Sequence, residues 1–204
     1  MYKVFLAVED EPSKEVALKI LDYCREDFVL NHLFPMRGCG DLKKNMVKFN
    51  NIANNCFMFV LADSDQQESV FDFQNMSLNW LSHRHNQGLA FCIAVSEVES
   101  WILADIDSVK SYFNVANISY DNYVDNIRDP KLELINLSRR SRSKEIVQGM
   151  IPIGNAPIGP SYNALLSEFI RNYWDISEAI SRSNSLRATI EKINSMNLNG
   201  LMKN

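Results

Sequence analysis

Cys56-Phe57-Met58-Phe59-Val60-Leu61-Ala62-Asp63-Ser64-Asp65 is the stretch whose reading decides the fold. Its seven leading residues are apolar without a break, which reads as a strand buried on both faces, as in the middle of a parallel sheet. The run then stops in Asp-x-Asp, so this strand carries acids to its carboxyl end. Working outward, Tyr2–Val8 is a second apolar, β-branched and aromatic run, and it stops at Glu9-Asp10-Glu11. Pro12 and Ser13 open a helix with Val16, Ala17, Ile20 and Leu21 on one face. Asp27–Phe34 reads as another strand, closed by Pro35 and the loop signal Arg37-Gly38-Cys39-Gly40. Leu42, Met46, Phe49 and Ile52 give residues 41–54 a helical face. A helix over about 66–83 carries Val70, Phe73, Leu78 and Leu81, and Leu89–Val95 is the fourth strand. Glu97-Val98-Glu99-Ser100-Trp101-Ile102-Leu103-Ala104 follows as a helix.

Strand and helix thus alternate four times, the signature of an α/β fold with a four-stranded, mostly parallel, Rossmann-like sheet flanked by helices. Beyond about residue 110 no strand of comparable strength occurs. Helical patterns run over 129–149, 161–173, 175–182 and 184–198, interrupted by the Pro/Gly-bearing stretch Ile151–Pro160. The expected organisation is an α/β core over 1–109 with a helical C-terminal extension over 110–204 packed on it.

Composition bounds the function classes. The chain has 204 residues, 46% hydrophobic and 23% charged, with seven Gly and six Pro, the balance of a globular chain with a sizeable core. No apolar run approaches the roughly 20 residues that span a bilayer, and Val4–Val8 is too short for a signal-peptide core. The four cysteines form no C-x-x-C pair, so reduced, buried thiols and a cytoplasmic location are expected. The net charge of −4 is unevenly spread. Residues 1–109 hold sixteen Asp and Glu against nine Lys and Arg, and residues 110–204 hold nine against twelve.

The acids stand where a parallel sheet gathers its ligands, at the carboxyl ends of the strands. Glu9-Asp10-Glu11 follows the first strand, Asp63-Ser64-Asp65 the third, and Glu97 and Glu99 the fourth. Crowded carboxylates repel one another unless cations neutralise them. With no His or Cys among them, the donor set suits Mg²⁺ or Mn²⁺. In extended chain an Asp-x-Asp aims both side chains the same way. The plainer alternative is that these acids cap helices, Asp63 or Asp65 the one after the third strand. Glu97 and Glu99 lie about 200° apart if both are helical, so only one is expected to face the site; Glu99 is favoured and Glu97 is left as a cap.

The combination of Glu after the first strand with Asp-x-Asp after the third, in a βαβα chain, resembles the TOPRIM domain of topoisomerases, primases and the overcoming-lysogenization-defect nucleases. The resemblance extends to a TOPRIM-like bacterial family found beside ATPase genes in phage-defence loci. It rests on Val8-Glu9-Asp10-Glu11-Pro12-Ser13, Leu61-Ala62-Asp63-Ser64-Asp65 and Glu97 through Asp105, and on Asp129-Pro130-Lys131, Gly159-Pro160-Ser161-Tyr162-Asn163 and Ser183-Asn184-Ser185-Leu186. The commonest TOPRIM pattern has Gly directly after the first Glu, and here Asp10 stands there. What the resemblance implies is a Mg²⁺- or Mn²⁺-dependent nuclease acting on DNA or RNA with two ions. Glu9, Asp63 and Asp65 would be its catalytic and metal-binding residues, and Glu99 or Glu97 would help hold the second ion. It also implies an antiviral-defence effector working with an ATPase partner, and activity only on assembly would fit a homo-oligomer.

Ser138-Arg139-Arg140-Ser141-Arg142-Ser143-Lys144 concentrates four cations in an acidic protein. Arg139, Arg140, Arg142 and Lys144, with Lys131, are the expected phosphate contacts. The loop Gly154–Tyr162 matches no phosphate-binding fingerprint but is expected near the active edge. His83 and His85 are two apart and have no companion ligands, which argues against a catalytic pair; Trp80, Trp101 and Trp174 read as core anchors. The competing readings are an inactive TOPRIM-fold binding or regulatory subunit and a phosphoreceiver-like signalling domain. A receiver needs a Lys after a fifth strand, and the strand pattern here stops at four.

Overall fold

A computed structural model describes residues 1–64, 79–81, 85–120 and 123–201. Four strands, β1 (Tyr2–Val8), β2 (Phe28–Pro35), β3 (Phe57–Asp63) and β4 (Leu89–Ala94), form one sheet in the order β2-β1-β3-β4, parallel throughout. Between them run α1 (Glu11–Cys24) and α2 (Gly38–Ile52). The expected helix over about 66–83 lies outside the described residues except at its end, where Trp80 and Leu81 pack on the sheet. After β4 come α3 (Val98–Ala104), α4 (Ile106–Tyr112), a 3-10 turn at Val124–Asn126, α5 (Pro130–Arg139) and α6 (Lys144–Met150). They are followed by α7 (Tyr162–Asn172), α8 (Ile176–Ala179) and α9 (Asn184–Ser195).

Side-chain alternation sorts the sheet into two faces. Tyr2, Val4, Leu6 and Val8 join Phe57, Phe59, Leu61, Ala90 and Cys92 on one face, against Val16, Ala17, Ile20 and Leu21 of α1. Ala7, Met58, Val60, Ala62, Phe91 and Ile93 line the other, against Leu42, Met46 and Phe49 of α2. The chain places α1 and α2 on opposite faces because β2 and β3 lie on opposite sides of β1 and both crossovers are right-handed. This puts a topological switch point between β1 and β3, where the connections diverge and leave a crevice at the carboxyl ends. Glu9, Asp10 and Asp63 lie at those ends.

The helices after residue 110 belong to the first face and are continuous with its core: Leu134, Ile146, Tyr162, Phe169, Trp174, Leu186 and Ile193 are buried in the same cluster as Leu6 and Phe59. A boundary at 109/110 falls inside α4. The four cysteines are free thiols, and among the described residues no helix is long and apolar enough to cross a membrane. One expectation fails. Residues 129–149 are not one helix but two, broken at Arg140–Ser143. Ser141 Oγ accepts from Ser143 N at 3.0 Å, and Ser143 Oγ from Ile146 N at 3.4 Å. These short side chains satisfy backbone donors that a continuous helix would have used. Similarly, the helix after β4 ends at Asp105, whose carboxylate accepts from Ser108 N at 3.2 Å and so starts α4.

Phe59 is wholly buried and joins the central strand to the helical face. Phe59→Ala is expected to cost about 3–5 kcal/mol in urea unfolding. Ile153→Ala, at a side chain that is 71% exposed, should change stability by less than about 0.5 kcal/mol.

Candidate active site

Of the three acids after β1, Glu11 turns outward and pairs with Lys14 at 2.7 Å. Asp10 is the N-cap of α1, accepting from Ser13 N at 2.9 Å, and this cap is what brings Glu9 and Asp10 up to the switch point. Asp63, the last residue of β3, accepts from Val98 N at 3.1 Å. It therefore caps α3, the helix after β4; the segment after its own strand lies outside the described residues. The capping alternative holds for Asp10 and Asp63, yet capping does not remove either from the site. Asp63 is pushed well above the ordinary carboxylate range by burial, and then by the charges of Glu99, Glu9 and Asp10, while Lys131 pulls it down. Asp65 lies outside the described residues.

Glu97 and Glu99 both face this edge, against the expectation that only one would. The helical angle does not apply, because Glu97 is the N-cap residue with extended backbone (φ −141°) and only Glu99 is inside α3. Glu97 makes no side-chain cap to its own helix. Its two carboxylate oxygens take Lys131 Nζ at 3.1 Å and Lys131 N at 3.3 Å. Glu99 is 1% exposed. Its Oε1 accepts from the Tyr162 hydroxyl at 3.1 Å and lies 3.6 Å from Lys131 Nζ, while its Oε2 is buried with no hydrogen-bond partner among the described residues. Burial pushes the Glu99 carboxyl up to about 7; Lys131 opposes that shift, and Glu97 and Asp10 add to it. Tyr162 is held well above the usual phenol range by burial and by Glu99, so it stays a neutral donor.

Lys131 was grouped by sequence with the basic run, but the structure sets it among the acids. Asp129 caps α5 through Leu132 N at 2.8 Å, and Pro130 occupies the first turn, so Asp-Pro-Lys places the lysine at the start of a helix aimed at Glu97 and Glu99. Burial works against its charge, but Glu99 and Glu97 outweigh that and raise its pKa. Arg139, Arg140, Arg142 and Lys144 lie at the far end of α5 and beyond it, all exposed. Tyr162 was not singled out for a role, although its loop was expected near the edge. That loop packs tightly at Gly159, where a Cβ would stand 2.2 Å from the Gly149 carbonyl oxygen.

The site is thus an all-oxygen donor set with one internal ammonium. Among the described residues no three His, Cys, Asp or Glu side chains are grouped to hold a metal ion. The chemistry of the donors still fits a hard divalent cation: a buried carboxylate oxygen without a partner and mutually repelling carboxyls are what such an ion relieves. Comparisons with protein-family models, curated proteins and solved structures find no match to this chain.

The raised Glu99 carboxyl has a defined consequence for stability. Between about pH 4.5 and about 7 the folded protein keeps a proton that the unfolded chain releases, so stability falls as pH rises through that window. Asp63, also raised, adds to the same slope. In EDTA, the melting temperature of wild type should drop between pH 5 and pH 8, and Glu99→Gln should drop less. Equal drops in the two proteins would show that Glu99 does not titrate there.

Proposed function

We propose that this chain is a Mg²⁺- or Mn²⁺-dependent nuclease of the TOPRIM-like kind, hydrolysing phosphodiester bonds of DNA or RNA. The observation that carries the reading is the buried Glu99, one of whose oxygens is unpartnered among the described residues, with Glu99, Glu9 and Asp10 near enough to Asp63 for their charges to raise its pKa. Glu9, Asp63 and Glu99 would hold the ions; Asp65 lies outside the described residues and is a ligand on the sequence reading alone. Such ions supply a hydroxide nucleophile at neutral pH and stabilise the leaving oxygen.

The chain's own groups have separate tasks. Lys131, kept cationic by Glu97 and Glu99, presents a positive charge to phosphate oxygens. Tyr162 fixes the orientation of Glu99 through its hydroxyl. Asp63, bonded to Val98 N, ties the end of β3 to the start of α3 and so holds two donors at a set separation. A role as the effector of an ATPase-linked antiphage system is what the sequence resemblance adds to this reading. One observation favours the alternative of an inactive binding or regulatory subunit: Lys131 already neutralises Glu97 and Glu99 without any metal.

The test is incubation with Mg²⁺ or Mn²⁺ of plasmid, single-stranded DNA, total tRNA and ribosomal RNA. Wild type should cleave at least one of them, EDTA should stop it, and Asp63→Asn and Glu99→Gln should each lower the rate by about 100-fold or more. Cleavage that survives both substitutions belongs to a contaminant or another site. No cleavage of any substrate, with or without an ATPase partner, leaves the binding-subunit reading in its place.

A further inference from the structure

The break between α5 and α6 gathers Arg139, Arg142 and Lys144 at the surface, in a protein whose net charge is −4. No ion pair joins any of the three to a described carboxylate, whereas Lys14, Arg25, Lys44, Lys131 and Arg171 are all paired. The break is also anchored. Arg142 N donates to the Asn114 carbonyl at 3.2 Å, and the Arg140 guanidinium donates to the Asn117 carbonyl. Beneath it lies a cavity of about 130 Å³ lined by Ser141, Arg142, Ser143, Lys144, Val147 and Gln148. None of these six side chains is acidic, so an anion there meets no like charge among them.

Geometry relates this cluster to the crevice. Lys131 and Arg139 belong to the same helix, α5, and stand eight positions apart. At 1.5 Å per residue Arg139 is displaced along the helix axis by about 12 Å from the lysine, and Arg142 and Lys144 lie beyond the end of that helix. A nucleic-acid strand advances roughly 3.4 Å per nucleotide along a duplex axis. The displacement therefore matches about three to four nucleotides.

Resting on the nuclease reading, we propose that the α5–α6 break is an exosite for backbone phosphates of the substrate strand, starting three to four nucleotides from the bond that is cut. The substrate is then a polynucleotide, and a dinucleotide or small phosphate ester reaches only the crevice. Arg139, Arg142 and Lys144 neutralise phosphate oxygens without reading bases, so the exosite adds affinity and sets a minimum length, not a sequence.

Binding measured in EDTA separates this proposal from the cleavage reading, because no chemistry is needed. The probes are fluorescein-labelled single strands of 20 and 2 nucleotides, as DNA and as RNA. Fluorescence anisotropy across a salt series compares wild type with Arg139→Gln/Arg142→Gln/Lys144→Gln. For the 20-mer the triple variant should bind at least about 10-fold more weakly at low salt. Its slope of log affinity against log salt should be shallower by about 2, at about 0.7 per cation for single strands. Dinucleotide binding should be alike in the two proteins, and Arg139→Lys/Arg142→Lys should keep the wild-type slope. Unchanged 20-mer affinity and slope in the triple variant overturn the exosite. So does a wild type that binds no 20-mer, or an equal loss for the dinucleotide.

Discussion

Glu99 is a buried carboxylate, and much of the molecule is arranged around the need to answer it. Taking a charge out of water costs several kcal/mol unless a partner meets it. Here the partners come from far along the chain: Lys131 from the first turn of α5 and Tyr162 from the first residue of α7. Glu97 holds Lys131 at both its ammonium and its backbone nitrogen, which fixes the start of α5 against the start of α3. The helices after residue 110 therefore complete the site and are not an appendage to a finished sheet.

The same segment is tied to α3 by polar bonds as well as by packing. The Trp101 indole donates to Ser185 Oγ at 2.6 Å, and the Trp174 indole donates to the Trp101 carbonyl at 3.1 Å. Asp125 accepts from Ser183 Oγ and from the backbone and hydroxyl of Ser185, and Asp105 accepts from Asp175 N at 2.7 Å. Buried polar groups left unbonded are costly, so such bonds hold one arrangement of helices above others that bury similar apolar area. Lys192 of α9 donates to the Phe91 carbonyl on β4, an outer strand of the sheet, at 2.8 Å. That bond covers part of an edge that would otherwise invite further pairing.

Capping and site chemistry share the same atoms. Asp10 caps α1 and Asp63 caps α3, and both add charge to the crevice. A carboxylate that accepts from a helix N-terminus is held in place by that bond. A site built from caps is thus positioned by the same interactions that start its helices.

The sheet, its parallel sense and the acids at its carboxyl edge were legible in the chain, because each rests on a local pattern. Uninterrupted apolar runs such as Phe57–Ala62 and Leu89–Ala94 read as strands covered on both faces, and a run that stops in acid marks the edge where ligands gather. The position of Lys131 was not legible. Proximity in sequence placed it with Arg139–Lys144, and only the direction of α5 carries it to Glu97 and Glu99 while the arginines go to the opposite end. The break at Arg140–Ser143 was hidden because no Gly or Pro marks it; it is made by the Ser141 and Ser143 side chains that take up the freed backbone donors. Glu97 and Glu99 share the site because one of them sits before the helix begins, a matter of a single residue that periodicity does not resolve. Local preference decided the elements and their acids. The partners of those acids, separated from them by 34 and 63 residues of chain, were decided by tertiary packing, since a buried charge takes whichever distant group the fold brings to it.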